Sequence, residues 1–337
     1  MESAARKGMT ETGLWPQLRD YWLPAAFSEE VGEKPLPVRL LDERLALCRL
    51  GGREGHGGEV AAFYDLCVHR GTPISLGWIE GEKVVCAYHG WSYDIEGRCT
   101  RIPSVPSGHP IPKKACLTRY LTQERYGIVW VCLGEPRAPL PEYPPLEDPG
   151  FHVVFRDKRK WTCSAARAIE NFFDFGHFAW VHEGILGDRD HPIPPEVTLE
   201  REGEELLKFW ADRSVDSTHA VHSVSHRNHY IVTRPFSIHQ WKEEPGGNIE
   251  AFIYVVMPVS AGECQRFMFT TRNYEGGPYA GDSHADLQNL VAEQDRIIVE
   301  NQRPEELPLD LAEELHIKGP DALALAYRRF LGELGVE

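Results

Sequence analysis

The chain has 337 residues, 42% of them apolar and 26% charged, which is enough for two domains with full cores. Its net charge of −15 makes nucleic acid and anionic membrane surfaces poor partners. No stretch approaches the roughly 18 consecutive apolar residues of a membrane helix. The opening MESAARKGMTETG lacks the apolar core of a signal peptide, so a cytoplasmic protein is expected.

Residues 1–14 read as a mobile leader. Residues 15–135 read as short strands separated by turns, among them Leu45–Leu50, Glu59–Tyr64, Lys83–Cys86 and Gly127–Leu133, and predict an all-β domain. Its landmark runs from Cys67 to Trp91. Cys67 and His69 form a C-x-H pair, Cys86 and His89 a C-x-x-H pair, and sixteen residues separate the pairs. Two thiolates and two imidazoles are the ligand set of a Rieske [2Fe–2S] centre, cysteines on one iron and histidines on the other. Neutral imidazoles raise the potential above that of an all-cysteine cluster. Gly71 and Gly90 let each loop turn tightly beside the cluster. The competing assignment is a Cys₂His₂ zinc site, but those open with C-x₂₋₄-C and close with H-x₃₋₅-H. The six other cysteines (Cys48, Cys99, Cys116, Cys132, Cys163 and Cys264) have no framework spacing and read as reduced thiols.

Residues 136–150 are proline-dense and read as an extended linker to a second domain, 151–337. Residues 165–183, AARAIENFFDFGHFAWVHE, carry Asp174, His177 and His182. His177 and His182 are five apart, about 140° around a regular helix, so one metal reaches both only where the helix is broken or carries a π-bulge. Strand-like segments then recur at Glu205–Trp210, His229–Arg234, Phe236–Trp241, Glu250–Val256 and Arg266–Thr271, and predict an antiparallel sheet with helices on one side enclosing a pocket. His219, His222, His226, His229 and His239 fall among them, and none is assigned a role. Ser283–Arg303 reads as a helix capped by Ser283 and ended by Pro304. Its apolar stripe is Leu287, Leu290, Val291, Ile297 and Ile298, and Asp295 falls on it. A carboxylate there needs a partner, either an arginine or a metal. Glu293 and Glu300 lie off the stripe. A closing amphipathic helix carries Leu323, Tyr327, Phe330, Leu331 and Leu334.

These motifs, in this order, resemble the Rieske non-haem iron oxygenases, aromatic ring-hydroxylating enzymes whose terminal oxygenase α subunit this chain is similar to. Val68 and Ala87 replace two prolines usual in the cluster loops. Thr72 and Tyr88 replace the cysteines that tie those loops together in respiratory Rieske proteins, and Trp91 replaces a serine that donates to sulfur there. Fewer sulfur donors suit a potential near the lower end of the Rieske range, about −150 mV. Ile102–Pro106 resembles the proline loop that covers the cluster, though any proline-rich connection reads the same way.

The resemblance implies an α+β chain: a Rieske domain, then a catalytic domain with a helix-grip-like antiparallel sheet. It implies cluster binding by Cys67, His69, Cys86 and His89, and a facial triad of His177, His182 and Asp295 on a mononuclear non-haem Fe(II). It implies electrons from NAD(P)H through a separate ferredoxin or flavin reductase, and O₂ and a small organic, cyclic or aromatic substrate. It also implies a head-to-tail homotrimer in which Asp174 bridges His177 to His89 of the next subunit. The chain length and the E-N-F-F-D spacing look more like the α-only O-demethylase branch. Hydroxylation or oxidative demethylation by a monooxygenase is therefore favoured, and arene cis-dihydroxylation by a dioxygenase is the alternative. A pure Rieske electron carrier would not need residues 151–337.

Overall fold

The computed structural model describes residues 15–52, 57–215, 224–244, 246–276 and 282–334. The leader, His219, His222, Pro245 and the last three residues lie outside these, as does the side chain of His226.

A single helical turn, α1 (Trp15–Leu18), precedes ten strands: β1 (Leu23–Phe27), β2 (Leu36–Leu40), β3 (Glu43–Leu50), β4 (Glu59–Tyr64), β5 (Trp78–Glu80), β6 (Lys83–Val85), β7 (Ser92–Tyr93), β8 (Cys99–Arg101), β9 (Arg119–Arg125) and β10 (Ile128–Cys132). They form a six-stranded sheet in the order β1-β10-β9-β4-β3-β2 and a small sheet β5-β6-β7-β8. One cluster loop leaves β4 of the six-stranded sheet, with Cys67 three residues beyond that strand, and the other, Cys86–Gly90, joins β6 to β7 of the small sheet. A separate apolar cluster, including Phe63, Ile74, Val84 and Leu117, packs beneath them around Cys67 and Cys86.

The second sheet has seven antiparallel strands: β11 (His152–Trp161), β12 (Val197–Glu202), β13 (Leu206–Val215), β14 (Val224–Thr233), β15 (Ser237–Glu244), β16 (Asn248–Ser260) and β17 (Glu263–Arg272), in the order β11-β17-β16-β15-β14-β13-β12. Helices α2 (Ala165–Phe173), α3 (Phe178–Val181), α4 (Asp282–Val299) and α5 (Ala322–Gly332) complete the chain. Cross-strand register puts Phe209, Tyr230, Gln240, Phe252, Thr270 and Phe155 in one row. Residues two apart share a face, so the rows through Tyr254 and through Glu250 lie on the same side. That side meets the helices: Phe172 stacks on Tyr254 at 4.7 Å, and Phe173 packs edge-on to Phe209 at 5.7 Å.

The other side of β16 meets the first domain, which explains why this strand is apolar in both alternations. The β2–β3 hairpin tip docks there, with Leu41 and Asp42 N–H donating to the carbonyls of Pro258 and Val259, 2.9 Å each. Both residues have positive φ (50° and 60°), a strain of about 1–2 kcal/mol each that the docked tip holds in place. One apolar core runs through both domains. The proline-dense segment is correspondingly packed rather than free. Leu140 and Tyr143 are buried, and Pro144–Leu146 form a 3₁₀ turn.

Most strands fall where the sequence put them. The helix on Ser283–Arg303 differs at both ends. It begins at Asp282, so Ser283 lies inside it rather than capping it, and it ends at Val299, before Pro304 is reached. Leu290, Ile297 and Ile298 of its expected apolar stripe are about half exposed. The buried face carries His284, Ala292 and Val299, with Asp295 partly covered between them.

Candidate metal centres and substrate pocket

The two cluster loops fold alike. Gly71 N–H donates to the Cys67 carbonyl (2.9 Å) and Gly90 N–H to the Cys86 carbonyl (3.0 Å). Both glycines have φ near +70° (72° and 68°), which side-chain-bearing residues rarely adopt. A Cβ at Gly90 would also stand 3.1 Å from Pro103 Cγ, so the Ile102–Pro106 segment does lie over this loop. Cys67 and Cys86 are buried, while His69 and His89 are exposed at the tip with ring centroids 4.5 Å apart. Buried thiols beneath exposed imidazoles suit a cluster whose histidine-bound iron faces outward.

Two contacts at this site escaped the sequence reading, which took Trp91 only as the replacement of a serine donor. Trp91 stacks on His69, centroids 4.5 Å apart and planes within 7°. Tyr93 Oη lies 3.1 Å from Cys67 Sγ. Burial pushes the Tyr93 phenol well above its ordinary pKa, so it stays protonated and donates to the sulfur. The sequence reading of few sulfur donors left this one out. A donor to ligand sulfur stabilises the reduced, more negative cluster. Tyr93→Phe is therefore expected to lower the potential by about 40 mV, the equivalent of a bond worth about 1 kcal/mol. Spectroelectrochemical titration measures it, and an unshifted potential would show that the hydroxyl does not act on the cluster.

The second centre is built on a broken helix. Ser164 Oγ caps α2 by accepting from Arg167 N–H, and α2 ends at Asp174, whose backbone is extended (φ −76°, ψ 111°). Asp174 Oδ1 accepts from Gly176 N–H at 2.8 Å and turns the chain, so His177 stands outside α2 and caps the short α3. The break resolves the five-residue spacing. His177 Nε2 and His182 Nε2 are 3.2 Å apart, and Asp295 Oδ1, from α4, lies 3.3 Å and 3.0 Å from them.

The surroundings fix the tautomers. His177 Nδ1–H donates to Asp174 Oδ2 (3.2 Å), and His182 Nδ1–H donates to Gln294 Oε1 (2.8 Å). Each Nε2 is left with a lone pair aimed at the other and at a carboxylate that Asn171 Nδ2 holds at 3.2 Å. Three acceptors converging repel one another unless a cation sits among them, and without a metal that cation is a proton on His177. Burial pulls the His177 pKa down, but Asp174 and Asp295 outweigh it and raise it to about 9. Burial raises the Asp295 carboxyl, and His177 and His182 outweigh that and hold it at about 2. The spacing also fits: three ligands on one octahedral face, each about 2.1 Å from the centre, stand about 3.0 Å apart. Gln294 and Asn171 were not singled out from sequence. Their signals were slight, one adjoining Asp295 and the other lying three residues before Asp174.

Among the described residues His177, His182 and Asp295 are the one such group of three potential metal ligands drawn from His, Cys, Asp and Glu within 4.8 Å. Glu293 and Glu300 instead pair with Arg296, at 2.8 Å and 2.6 Å. His229 stacks on Trp241 on the far side of the sheet, and His239 is buried there, its pKa pulled down to about 4 by burial. Outside the triad, a cavity of about 680 Å³ opens beside Asp174 and His177, with Ile193 and Leu315 exposed on its rim. No helix is long and apolar enough to cross a membrane among the described residues.

Residues 21–121 match the Rieske [2Fe–2S] domain, and residues 161–337, more than half of the chain, match the vanillate O-demethylase oxygenase C-terminal domain. The methylxanthine N1-demethylase NdmA of Pseudomonas putida is 30% identical over 329 residues, covering 94% of this chain and 89% of that one. Its solved structure with caffeine superposes with a TM-score of 0.83 at 29% identity, covering 94% of this chain and 91% of that one. A phenoxybenzoate dioxygenase α subunit from Ectopseudomonas oleovorans is 38% identical over 229 residues, 62% of this chain and 54% of that one. With a cluster domain, a second domain built to hold a metal, and relatives of this length, the chain belongs to the Rieske non-haem iron oxygenases, as the terminal oxygenase component that takes reductase-supplied electrons through a [2Fe–2S] cluster to a mononuclear iron.

Proposed function

We propose that Cys67, His69, Cys86 and His89 hold the Rieske cluster, that His177, His182 and Asp295 hold the mononuclear iron, and that the chain oxidatively demethylates or hydroxylates a cyclic organic substrate. The observation that carries this is the convergence of two Nε2 lone pairs and one carboxylate oxygen within 3.3 Å. Iron bound there supplies reductive O₂ activation, with electrons from NAD(P)H arriving through a ferredoxin or flavin reductase. The chain's own residues set the geometry. Asp174 and Gln294 hold the imidazoles in the ligating tautomer, and Asn171 holds the carboxylate. Phe172 and Tyr254 provide an apolar wall that limits water. Likeness to an N-demethylase over 94% of the chain favours demethylation. The dioxygenase relative, matched over 62%, supports arene cis-dihydroxylation as the second reading.

The working unit is a homotrimer in the cytoplasm, with residues 15–135 and 151–337 as its two domains joined by 136–150. Support for the trimer is a pair of exposed apolar surfaces: Val68, Leu76, Trp78 and Tyr88 in and beside the cluster loops, and Ile193 and Leu315 on the cavity that Asp174 lines. A head-to-tail contact between them closes into a ring.

The purified protein is expected to be red-brown, with acid-labile sulfide and one iron beyond the cluster pair. Cys86→Ser should lose sulfide and colour. With a surrogate reductase, an N- or O-methylated ring should release formaldehyde in step with NADH consumed. A colourless, zinc-binding protein would end this reading, and a cis-diol product would replace demethylation with the second one.

A further inference from the structure

We infer that Gly187 is a positioning residue for the mononuclear iron site. It lets the turn after His182 pack backbone to backbone on α3, and that contact sets where the two histidines at the ends of α3 stand. The inference rests on the proposed reading of His177, His182 and Asp295 as the iron ligands.

α3 does not hold this geometry alone. It has four residues, Phe178–Val181, with His177 and His182 as its caps. A single turn makes too few hydrogen bonds to offset the ordering of its own backbone, so it depends on what packs against it. Within it, Trp180 and Val181 N–H donate to the His177 carbonyl (3.0 Å and 2.8 Å), and His182 N–H donates to the Phe178 carbonyl (3.2 Å). Both histidines therefore follow any movement of α3.

The support comes from residues 183–187, which double back. Ile185 and Leu186 N–H both donate to the His182 carbonyl (2.9 Å and 3.0 Å), and Gly184 N–H donates to the Gly187 carbonyl (2.8 Å). This sets Gly187 on the peptide that joins Phe178 to Ala179. A Cβ on Gly187 would stand 2.6 Å from Ala179 N, 2.7 Å from the Phe178 carbonyl carbon and 2.8 Å from Ala179 Cα. All three are main-chain atoms, so no side-chain rotation relieves the contact. Ordinary contact begins at about 3.5 Å, so α3 and the turn would have to part by about 1 Å. A ligand set keeps its geometry only within about 0.5 Å. The turn cannot move off by itself. Ile185 and Leu186 tie it to His182, and Arg189 reaches both Glu183 (3.0 Å) and the face of Trp180 (5.8 Å). Asp174 and Gln294 orient the two imidazoles, whereas Gly187 sets the backbone from which they reach.

Gly184, in the same turn, supplies the control. Its φ is +75°, and a Cβ there would meet nothing within 4 Å. Alanine at 184 strains the turn without touching α3.

The test is anaerobic competition for Fe(II) between the holoenzyme and a ferrous chelator. Sulfide content and the visible spectrum report the cluster, and the EPR signal formed with nitric oxide as probe reports ligand geometry at the mononuclear site. Gly187→Ala should weaken mononuclear iron retention by at least about tenfold and alter the nitric oxide signal, with sulfide and the cluster spectrum unchanged. Gly187→Ser should match it, because the Cβ that both share makes the clash. Gly184→Ala should stay within about twofold of the wild type. Wild-type iron retention in Gly187→Ala overturns the inference. An equal loss in Gly184→Ala also overturns it, because the stability of the turn rather than its contact with α3 would then be responsible. So does a Gly187→Ala chain that fails to fold or loses its cluster together with the iron, because the glycine would then serve the fold at large. A wild type with no iron beyond the cluster pair defeats the ligand reading itself, whereas iron held equally by wild type and Gly187→Ala defeats only the role of Gly187.

Discussion

Replacing His177, His182 or Asp295 with alanine should lower turnover by at least about a hundredfold while the cluster keeps its visible spectrum. Changing the groups behind metal ligands already costs about 10- to 100-fold, and these side chains supply the converging atoms themselves. The cluster is spared because its loops share no residue with α2, α3 or α4, and rest on their own apolar cluster. Single-turnover product yield together with iron and sulfide analysis measures both halves of the expectation. Asp295→Ala is the most informative of the three. Glu293 and Glu300 are tied to Arg296, and Glu300 also accepts from Thr162 N–H at 2.9 Å, so neither is free to replace Asp295. Full turnover in Asp295→Ala would move the third ligand elsewhere.

What the sequence disclosed followed the distance over which each feature is specified. The cluster loops are local: two ligand pairs and two glycines each lie within a few residues, so spacing alone placed them. The proposed triad joins a broken helix to a residue on α4 more than a hundred positions later, and only the family pattern paired the two parts. The spacing of His177 and His182 also forecast the break, because a continuous helix holds them on different sides.

Features that depend on packing were misread or unseen. Leu290, Ile297 and Ile298 look like a core stripe but are half exposed on this chain, because periodicity reports an apolar face without saying what covers it. The prolines of residues 136–150 suggested a spacer, yet Tyr143 is buried against β15, its hydroxyl bonded to Ser237.

Asp174→Asn should leave both metals bound and the cluster reducible, yet slow electron delivery to the mononuclear site by about 10- to 100-fold. Asp174 ends α2 with its side chain 43% exposed, at the mouth of the cavity rimmed by Ile193 and Leu315. Its Oδ2 accepts from His177 Nδ1–H, and its Oδ1 accepts from Gly176 N–H with one lone pair still facing outward. In the proposed trimer that lone pair would accept from the exposed His89 of the next subunit, giving one carboxylate between two imidazoles. Asparagine keeps the size but has one acceptor oxygen. If that oxygen stays on His177, the amide N–H groups face Gly176 and the incoming imidazole, both of which are donors. His177 thus keeps its tautomer while the contact between subunits is lost. Rapid mixing of pre-reduced Asp174→Asn with substrate and O₂ should show the reduced-cluster spectrum persisting. Re-oxidation and product formation at the wild-type rate would mean that electrons reach the mononuclear site by a path that does not cross Asp174.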